Sequence, residues 1–193
     1  SPELLAQMAC ELETGGKQDP YIASYGGITA FEFRPDELAR HEAVRLSPDT
    51  LADLEDHLLL FFTGFTRPAP EALKSQVSPE RERDNLNYVK ELGLCSKTAL
   101  EKGNTAEFAR LLNDQWDAKY ARQPDTHIDI MNLRELGLLN GALGAKLVGA
   151  GGGGFLLFYA EDRARLRRFM REAGLAETRF RFDWEGAKVV ISE

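Results

Sequence analysis

Five glycines stand in the six positions from Gly149 to Gly154, inside the run Lys146-Leu147-Val148-Gly149-Ala150-Gly151-Gly152-Gly153-Gly154-Phe155. Glycine brings no side chain to a core and loses more backbone entropy on ordering than any other residue. Such a run makes sense where the chain turns sharply, takes a positive φ or lies very close to other atoms. Its flanks are apolar and strand-like, Lys146 to Val148 before it and Phe155 to Tyr159 after it. A tight loop at a sheet edge inside a folded domain follows; a flexible linker would have polar flanks.

The 193 residues suffice for one substantial domain, and 43% hydrophobic with 28% charged residues is an ordinary globular balance. A net charge of −7 argues against a nucleic-acid partner, which would require a basic face. No apolar run is long enough to span a bilayer, so no membrane partner is expected. The N-terminus lacks signal-peptide character. Cys10 and Cys95 fit no metal spacing and read as reduced, partly buried thiols of a cytoplasmic protein.

Periodicity predicts a helix over Glu3–Glu13, a helical or irregular piece over Lys17–Tyr25 and a strand over Ile28–Phe33. Arg34 to Pro48 reads as a polar loop with a strand near Ala43–Leu46. A short helix over Leu51–Asp56 follows the Ser47-Pro48-Asp49 cap. Next come a strand over Leu58–Thr63, a helical turn over Glu71–Gln76 and helices over Arg81–Glu101, after Asn104, and over Ile128–Asn140. The last part alternates: strand Ala145–Val148, strand Phe155–Ala160, helix Asp162–Ala173, strand Thr178–Phe182, turn, strand Ala187–Ile191. Strand pairs beside a helical cluster imply an α+β fold, an antiparallel sheet covered by helices.

Three segments carry chemistry. Backbone N–H groups of the glycine loop, Gly149, Ala150, Gly151, Gly152, Gly153 and Gly154, can form an anion-binding concavity suited to phosphate. The plainer alternative is a glycine hairpin that lets sheet and helices pack closely. The loop is neither a Walker loop, lacking a following Lys-Ser/Thr, nor a dinucleotide fingerprint, because a strand follows it. The second segment is Gly16-Lys17-Gln18-Asp19. A carboxylate at a helix start beside a cation stays ionised and can accept a proton from a hydroxyl; Asp19 can equally be a helix cap. In the third, Thr63-Gly64-Phe65-Thr66-Arg67, a hydroxyl and a guanidinium stand at the end of a strand. There Arg67 can grip a phosphate bidentately or simply face solvent. The scattered His41, His57 and His127 receive no catalytic role, and the arginine-rich helix around Arg163–Arg171 reads as a solvated amphipathic face.

Together these segments resemble the GHMP small-molecule kinases. The carriers are the Lys-Leu-x-Gly-Ala-Gly-Gly-Gly-Gly stretch at 146–154, Gly-Lys-Gln-Asp-x-Tyr-Ile-Ala-x-Tyr-Gly-Gly-Ile at 16–28, Leu-Leu-Leu-Phe-Phe-Thr-Gly at 58–64 and Arg-Phe-Asp-Trp-Glu-Gly at 181–186. Within the family the likeness points to the heptose 7-phosphate kinase group of the sugar branch. The resemblance implies a ferredoxin-like C-terminal domain over 47–193 and a remnant of the N-terminal kinase domain over 1–46. It makes Asp19 the catalytic acidic residue, with Lys17 beside the reacting groups and Glu13 as the Mg²⁺ ligand. The glycine loop holds the phosphate end, and Thr63 and Arg67 lie on the substrate side. ATP, Mg²⁺ and a sugar phosphate are the implied cofactors and partner, and a homodimer is allowed. The family's Gly-Leu-Gly-Ser-Ser-type nucleotide loop is not in the sequence. The chain is therefore expected to be the C-terminal part of a kinase, unable to turn over alone. A non-catalytic sugar-binding or association domain, and a kinase for fucose or galactose, are the alternatives.

Overall fold

A computed structural model describes residues 1–12, 16–34, 39–66, 77–124, 126–149 and 152–188. The chain divides into two units, one formed by Ser1–Arg45 with Arg181–Glu193, the other by Leu46–Phe180.

In the first unit, helix α1 (Pro2–Leu12) and helix α2 (Gln18–Tyr25) accompany a two-stranded antiparallel ribbon, β1 (Thr29–Phe33) and β2 (Ala39–Ala43). The ribbon runs in register from Thr29 opposite Ala43 to Phe33 opposite Ala39. The strand expected near Ala43–Leu46 thus lies earlier, within the stretch expected to be loop. Its Ala-Arg-His-Glu-Ala sequence has little strand character of its own, and pairing with β1 makes it a strand. Tyr21 is the buried centre of this unit, its ring edge-on to Phe31 and Phe33 at 5.7 and 5.3 Å. Gly26 closes α2 at φ 72°, its N–H donating to the Ile22 carbonyl. A Cβ on Gly26 would sit 2.9 Å from the Asp183 carbonyl oxygen, and one on Gly27 3.2 Å from the Trp184 ring. The two motifs Gly26-Gly27 and Asp183–Gly186 are therefore partners. They are joined by the Gly27 N–H on the Asp183 carbonyl and the Ala187 N–H on the Ala23 carbonyl.

The second unit begins with α3 (Pro48–His57), where Ser47 accepts the Thr50 N–H and Pro48 occupies the first turn. Strand β3 (Leu58–Phe62) leads to α4 (Pro79–Glu101), capped by Ser78, and α5 (Thr105–Arg122), capped by Asn104. Then follow α6 (Ile128–Leu139), β4 (Ala142–Val148), β5 (Phe155–Ala160) and α7 (Arg163–Glu172), the last capped by Asp162. The sheet is antiparallel in the order β3-β5-β4. After α7 the chain returns to the free edge of β3, where Glu177 bridges Phe61 and the Thr178 N–H reaches the Leu60 carbonyl. This is the β-α-β-β-α-β course of a ferredoxin-like core, with its fourth strand reduced to one bridge. The strand expected over Thr178–Phe182 does not form, and Ala187 and Lys188 are not in a strand either. The expected turn over Glu71–Gln76 and the remainder of the last strand, residues 189–191, lie outside the described residues.

Alternation along the strands sorts the two faces. Leu59, Phe61, Ala145, Leu147, Leu156, Phe158 and Ala160 pack under α6 and α7 with Ile130, Leu166 and Met170. Leu166 and Met170 are fully buried on the arginine-rich α7, as its expected amphipathic face requires. On the other face α5 lies across β4, with Gly144 against the Ala109 backbone and Lys146 Nζ donating to Gln115 at 2.7 Å. Asn113 of α5 covers the β4 edge, accepting the Ala145 N–H at 3.0 Å and donating to the Leu143 carbonyl at 3.1 Å. Both groups flank the bulge between Ala142 and Gly144, so a side chain satisfies backbone that no strand pairs there. Cys95 is exposed, a correction to the partly buried thiol expected, because its α4 face is not covered; Cys10 is half-buried.

Tyr159, on the α3 side of β5, donates to Asp53 at 2.6 Å, and its oxygen lies 3.0 Å from the Thr105 hydroxyl. Burial alone would raise the Asp53 pKa, but hydrogen bonds from Thr105 and Tyr159, with the His57 charge, hold it below the usual 3.8. Burial, together with the bond to Asp53, pushes Tyr159 up to about 12 from its ordinary 10.0. Asp53 therefore contributes stability above its unfolded pKa that is lost as pH falls through the folded one. Tyr159 contributes below 10.0 and loses that contribution toward 12. Tyr159→Phe should cost about 1–2 kcal/mol at neutral pH. The deficit should shrink as acid neutralises Asp53, a trend that urea unfolding across a pH series would measure.

Candidate functional site

The glycine loop connects β4 to β5 at the end of the sheet where β3 also ends. Gly149, Gly152 and Gly154 take φ of 95°, 79° and 100°, values that a side chain would strain. Gly153 lies so close to the next strand's exit that a Cβ would sit 2.5 Å from the Phe65 carbonyl oxygen. The loop is thus clamped to the Thr63–Phe65 segment. Thr63 donates its N–H and its hydroxyl to the Gly154 carbonyl at 2.9 and 2.8 Å, and the Gly154 N–H returns to the Phe65 carbonyl at 2.8 Å. Close backbone packing, one of the two readings of the glycines, accounts for Gly153 and Gly154. A phosphate contact would fall to the amides before Gly154, whose own N–H is engaged. From α5, Lys119 donates to the Gly149 carbonyl, bringing a cation to the start of the loop.

Thr63 and the glycine loop, far apart in sequence, are therefore neighbours. Thr63 is buried and its hydroxyl is engaged within the protein. Lys146, at the head of the motif, points away to α5, and burial holds its ammonium below the ordinary lysine pKa. Ala150 and Gly151 lie outside the described residues, as do Arg67 and Glu13.

In the first unit, Lys17 precedes α2 in an N-cap position without a side-chain cap hydrogen bond. Asp19 is the second residue of the helix and is exposed, so it does not serve as the cap. Its carboxylate stands in the first turn, where the helix dipole favours negative charge. Both side chains belong to one short stretch, with Lys17 half-buried. Among the described residues no three His, Cys, Asp or Glu side chains gather into a metal site. Nor is any described helix long and apolar enough to cross a membrane.

Sequence reasoning passed over His127. It caps α6 by accepting the Asp129 N–H, and its ring stacks on Phe65 with centroids 4.2 Å apart. It also passed over Lys119. The His127 cap is local, but its stacking partner Phe65 is not, and the partner of Lys119, the Gly149 carbonyl, is also distant in sequence.

Comparison with known proteins gives this geometry a family. Residues 96–176 match the family GHMP kinases C terminal. Over 197 aligned residues the chain is 27% identical to D-glycero-alpha-D-manno-heptose 7-phosphate kinase of Campylobacter jejuni, covering 95% of this chain and 58% of that protein. It is 31% identical over 169 residues to L-fucokinase/L-fucose-1-P guanylyltransferase of Bacteroides fragilis, covering 82% of this chain and 18% of that protein. The crystal structure of a D-glycero-D-manno-heptose 1-phosphate kinase from Bacteroides thetaiotaomicron has the same fold. Its TM-score is 0.71 at 24% identity, over 96% of this chain and 55% of that one. The chain thus spans less than two thirds of the relatives it matches. It carries a GHMP kinase C-terminal domain.

Proposed function

We propose that this chain belongs to an ATP-dependent sugar-phosphate kinase that moves the γ-phosphoryl of ATP onto the anomeric hydroxyl of a D-glycero-D-manno-heptose 7-phosphate. The carrying observation is the likeness to the Campylobacter jejuni heptose 7-phosphate kinase over 95% of the chain. On this reading residues 1–46 belong to the N-terminal kinase domain and 47–193 to the C-terminal domain. Asp19 accepts the proton of the attacking hydroxyl, and Lys17 offsets charge beside it. Glu13 is the residue assigned to Mg²⁺, which neutralises phosphate charge when bound. The glycine loop, with Arg67 on the substrate side, borders the phosphate end. The positive φ values of Gly152 and Gly154 and the clamp to Thr63 support this role, since they hold that end of the loop in one shape before any ligand arrives. A cytoplasmic location fits such a metabolic enzyme.

The fucokinase likeness, 31% identical over 169 residues, favours a second reading in which the acceptor is L-fucose. A panel assay on a protein joining this chain to its nucleotide loop separates them. Turnover is expected with heptose 7-phosphate, at a kcat/KM at least about tenfold above that with L-fucose or D-galactose. Turnover of fucose alone would replace the first reading, and none with any sugar would reject both.

A further inference from the structure

The two ends of the glycine loop are held by different means. At Gly153 and Gly154 the backbone packs against Thr63–Phe65. Gly149, the first loop residue, is exposed, and a Cβ built on it would meet nothing within 4 Å among the described residues. Its φ of 95° favours glycine, and glycine loses much entropy when it is held there. What reaches Gly149 is a side chain. Lys119, in the last turn of α5, donates to the Gly149 carbonyl. One turn earlier on the same side of α5, Gln115 accepts from Lys146 Nζ at 2.7 Å. Thus α5 grips the stretch from Lys146 to Gly149 at both of its ends.

The Gln115 amide is locked in one orientation. Ser96 of α4 gives its proton to the Leu92 carbonyl at 2.8 Å, so toward Gln115 it can only accept, and Gln115 Nε2 donates to it at 3.0 Å. The Gln115 oxygen is then left for Lys146, whose ammonium donates and cannot accept. Burial penalises the Lys146 charge, which makes this acceptor the more important. The exit of β4 is therefore fixed from α4 and α5, and Lys119 carries the constraint past Val148 into the loop. Another role open to Lys119 is that of a cation at the α5 C-terminus, which would act on stability alone. Its donation to a carbonyl of another element, at the very start of the loop, favours a tether. We propose that Lys119 is a positioning residue of the phosphate loop: acting through the Gly149 carbonyl, it fixes where the loop starts and so the direction in which its amides face a phosphate. In this role it touches no reacting atom. The tether itself needs only this chain, and its effect on a rate rests on the kinase reading above.

The test has two arms. In the 193-residue chain, nitrogen-15 relaxation should show the backbone order parameters of Gly149 and Gly152 falling in Lys119→Met from about 0.85 to below about 0.6. Gly154, whose N–H is held by the Phe65 carbonyl, should stay ordered. In a protein joining this chain to its nucleotide loop, Lys119→Met should lower kcat about 10–10²-fold, the scale of a misplaced site, with KM for the sugar phosphate nearly constant. Lys119→Arg keeps a cation and its donors, so it should restore the order and bring kcat back to within about fivefold of the parent. Thermal unfolding of both variants separates the helix-end role, which predicts a lower Tm with loop order and kcat unmoved; that result would overturn the proposal. So would a Lys119→Met loop that loosens while kcat stays within about twofold of the parent, or an arginine variant as impaired as the methionine one. If the joined parent turns over no sugar, the kinase reading fails by itself and the relaxation arm still decides the tether. If the parent is active and Lys119→Met changes neither order nor kcat, the tether fails and the kinase reading stands.

Discussion

Asp19→Asn is expected to lower kcat about 10²–10⁴-fold in a protein that joins this chain to a nucleotide loop, the contribution typical of a positioned proton acceptor. The substitution keeps the shape of the side chain and removes its charge and its basicity. Asp19 is exposed on the first turn of α2 and does not cap the helix, so the fold has little invested in it. Loss of a favourable dipole interaction should cost only about 0.3–1 kcal/mol of stability. A role in the reaction therefore predicts a large fall in kcat with KM for the sugar nearly constant and an unfolding transition almost unmoved. Lys17→Met provides the contrast. A cation beside the reacting groups should affect both kcat and KM, because it attracts the substrate's charge before and during transfer. A folded Asp19→Asn protein that retains a tenth or more of its turnover would remove Asp19 from the chemistry. A parallel collapse of stability and activity would make it structural.

What could be read from the sequence, and what could not, divides by range. Ser47, Asn104 and Asp162 cap their helices because a hydroxyl, amide or carboxylate just before a helix meets an N–H two or three residues on. That is local chemistry, and the helix starts were legible from it. The strands β3 and β5 were legible for a similar reason, as unbroken apolar runs between breakers. β2 was not, since Ala39–Ala43 lacks branched and aromatic residues and takes its conformation from β1 across the ribbon. The fourth strand failed in the opposite sense. Thr178–Phe182 alternates as a strand should, yet the chain leaves β3 after the bridge at Glu177. Glu177 is held there by a bidentate pair with Arg167 of α7, both bonds at 2.8 Å, a contact that no helix or strand periodicity encodes. At the candidate site, the run of glycines announced a tight backbone. The identity of its close neighbours, Thr63 and Phe65, emerged only from the fold.

Gly144→Val should be among the most damaging single substitutions in the second unit, costing about 3 kcal/mol or more, at or beyond the upper end of ordinary overpacking. Gly144 is buried on the α5 face of β4, and a Cβ built there would overlap the Ala109 carbonyl. Ala109 is itself fully buried. A flexible side chain could swing aside, but a helix carbonyl moves only with its helix. Displacing α5 would pull Asn113 from the Ala145 N–H and the Leu143 carbonyl, and Gln115 from Lys146. Buried backbone at the β4 bulge would then lose its partners, and an ammonium shielded from water would lose its acceptor. Because the same helix carries Lys119 to the Gly149 carbonyl, the damage should reach the glycine loop as faster amide hydrogen exchange at 152–154. Gly93→Ala is the matching control: it sits within α4 with no atom within 4 Å of a new Cβ, and it should stabilise by up to about 1 kcal/mol. Urea unfolding of both variants checks the pair. A Gly144→Val protein as stable as its parent would mean that α5 does not rest on β4 as described.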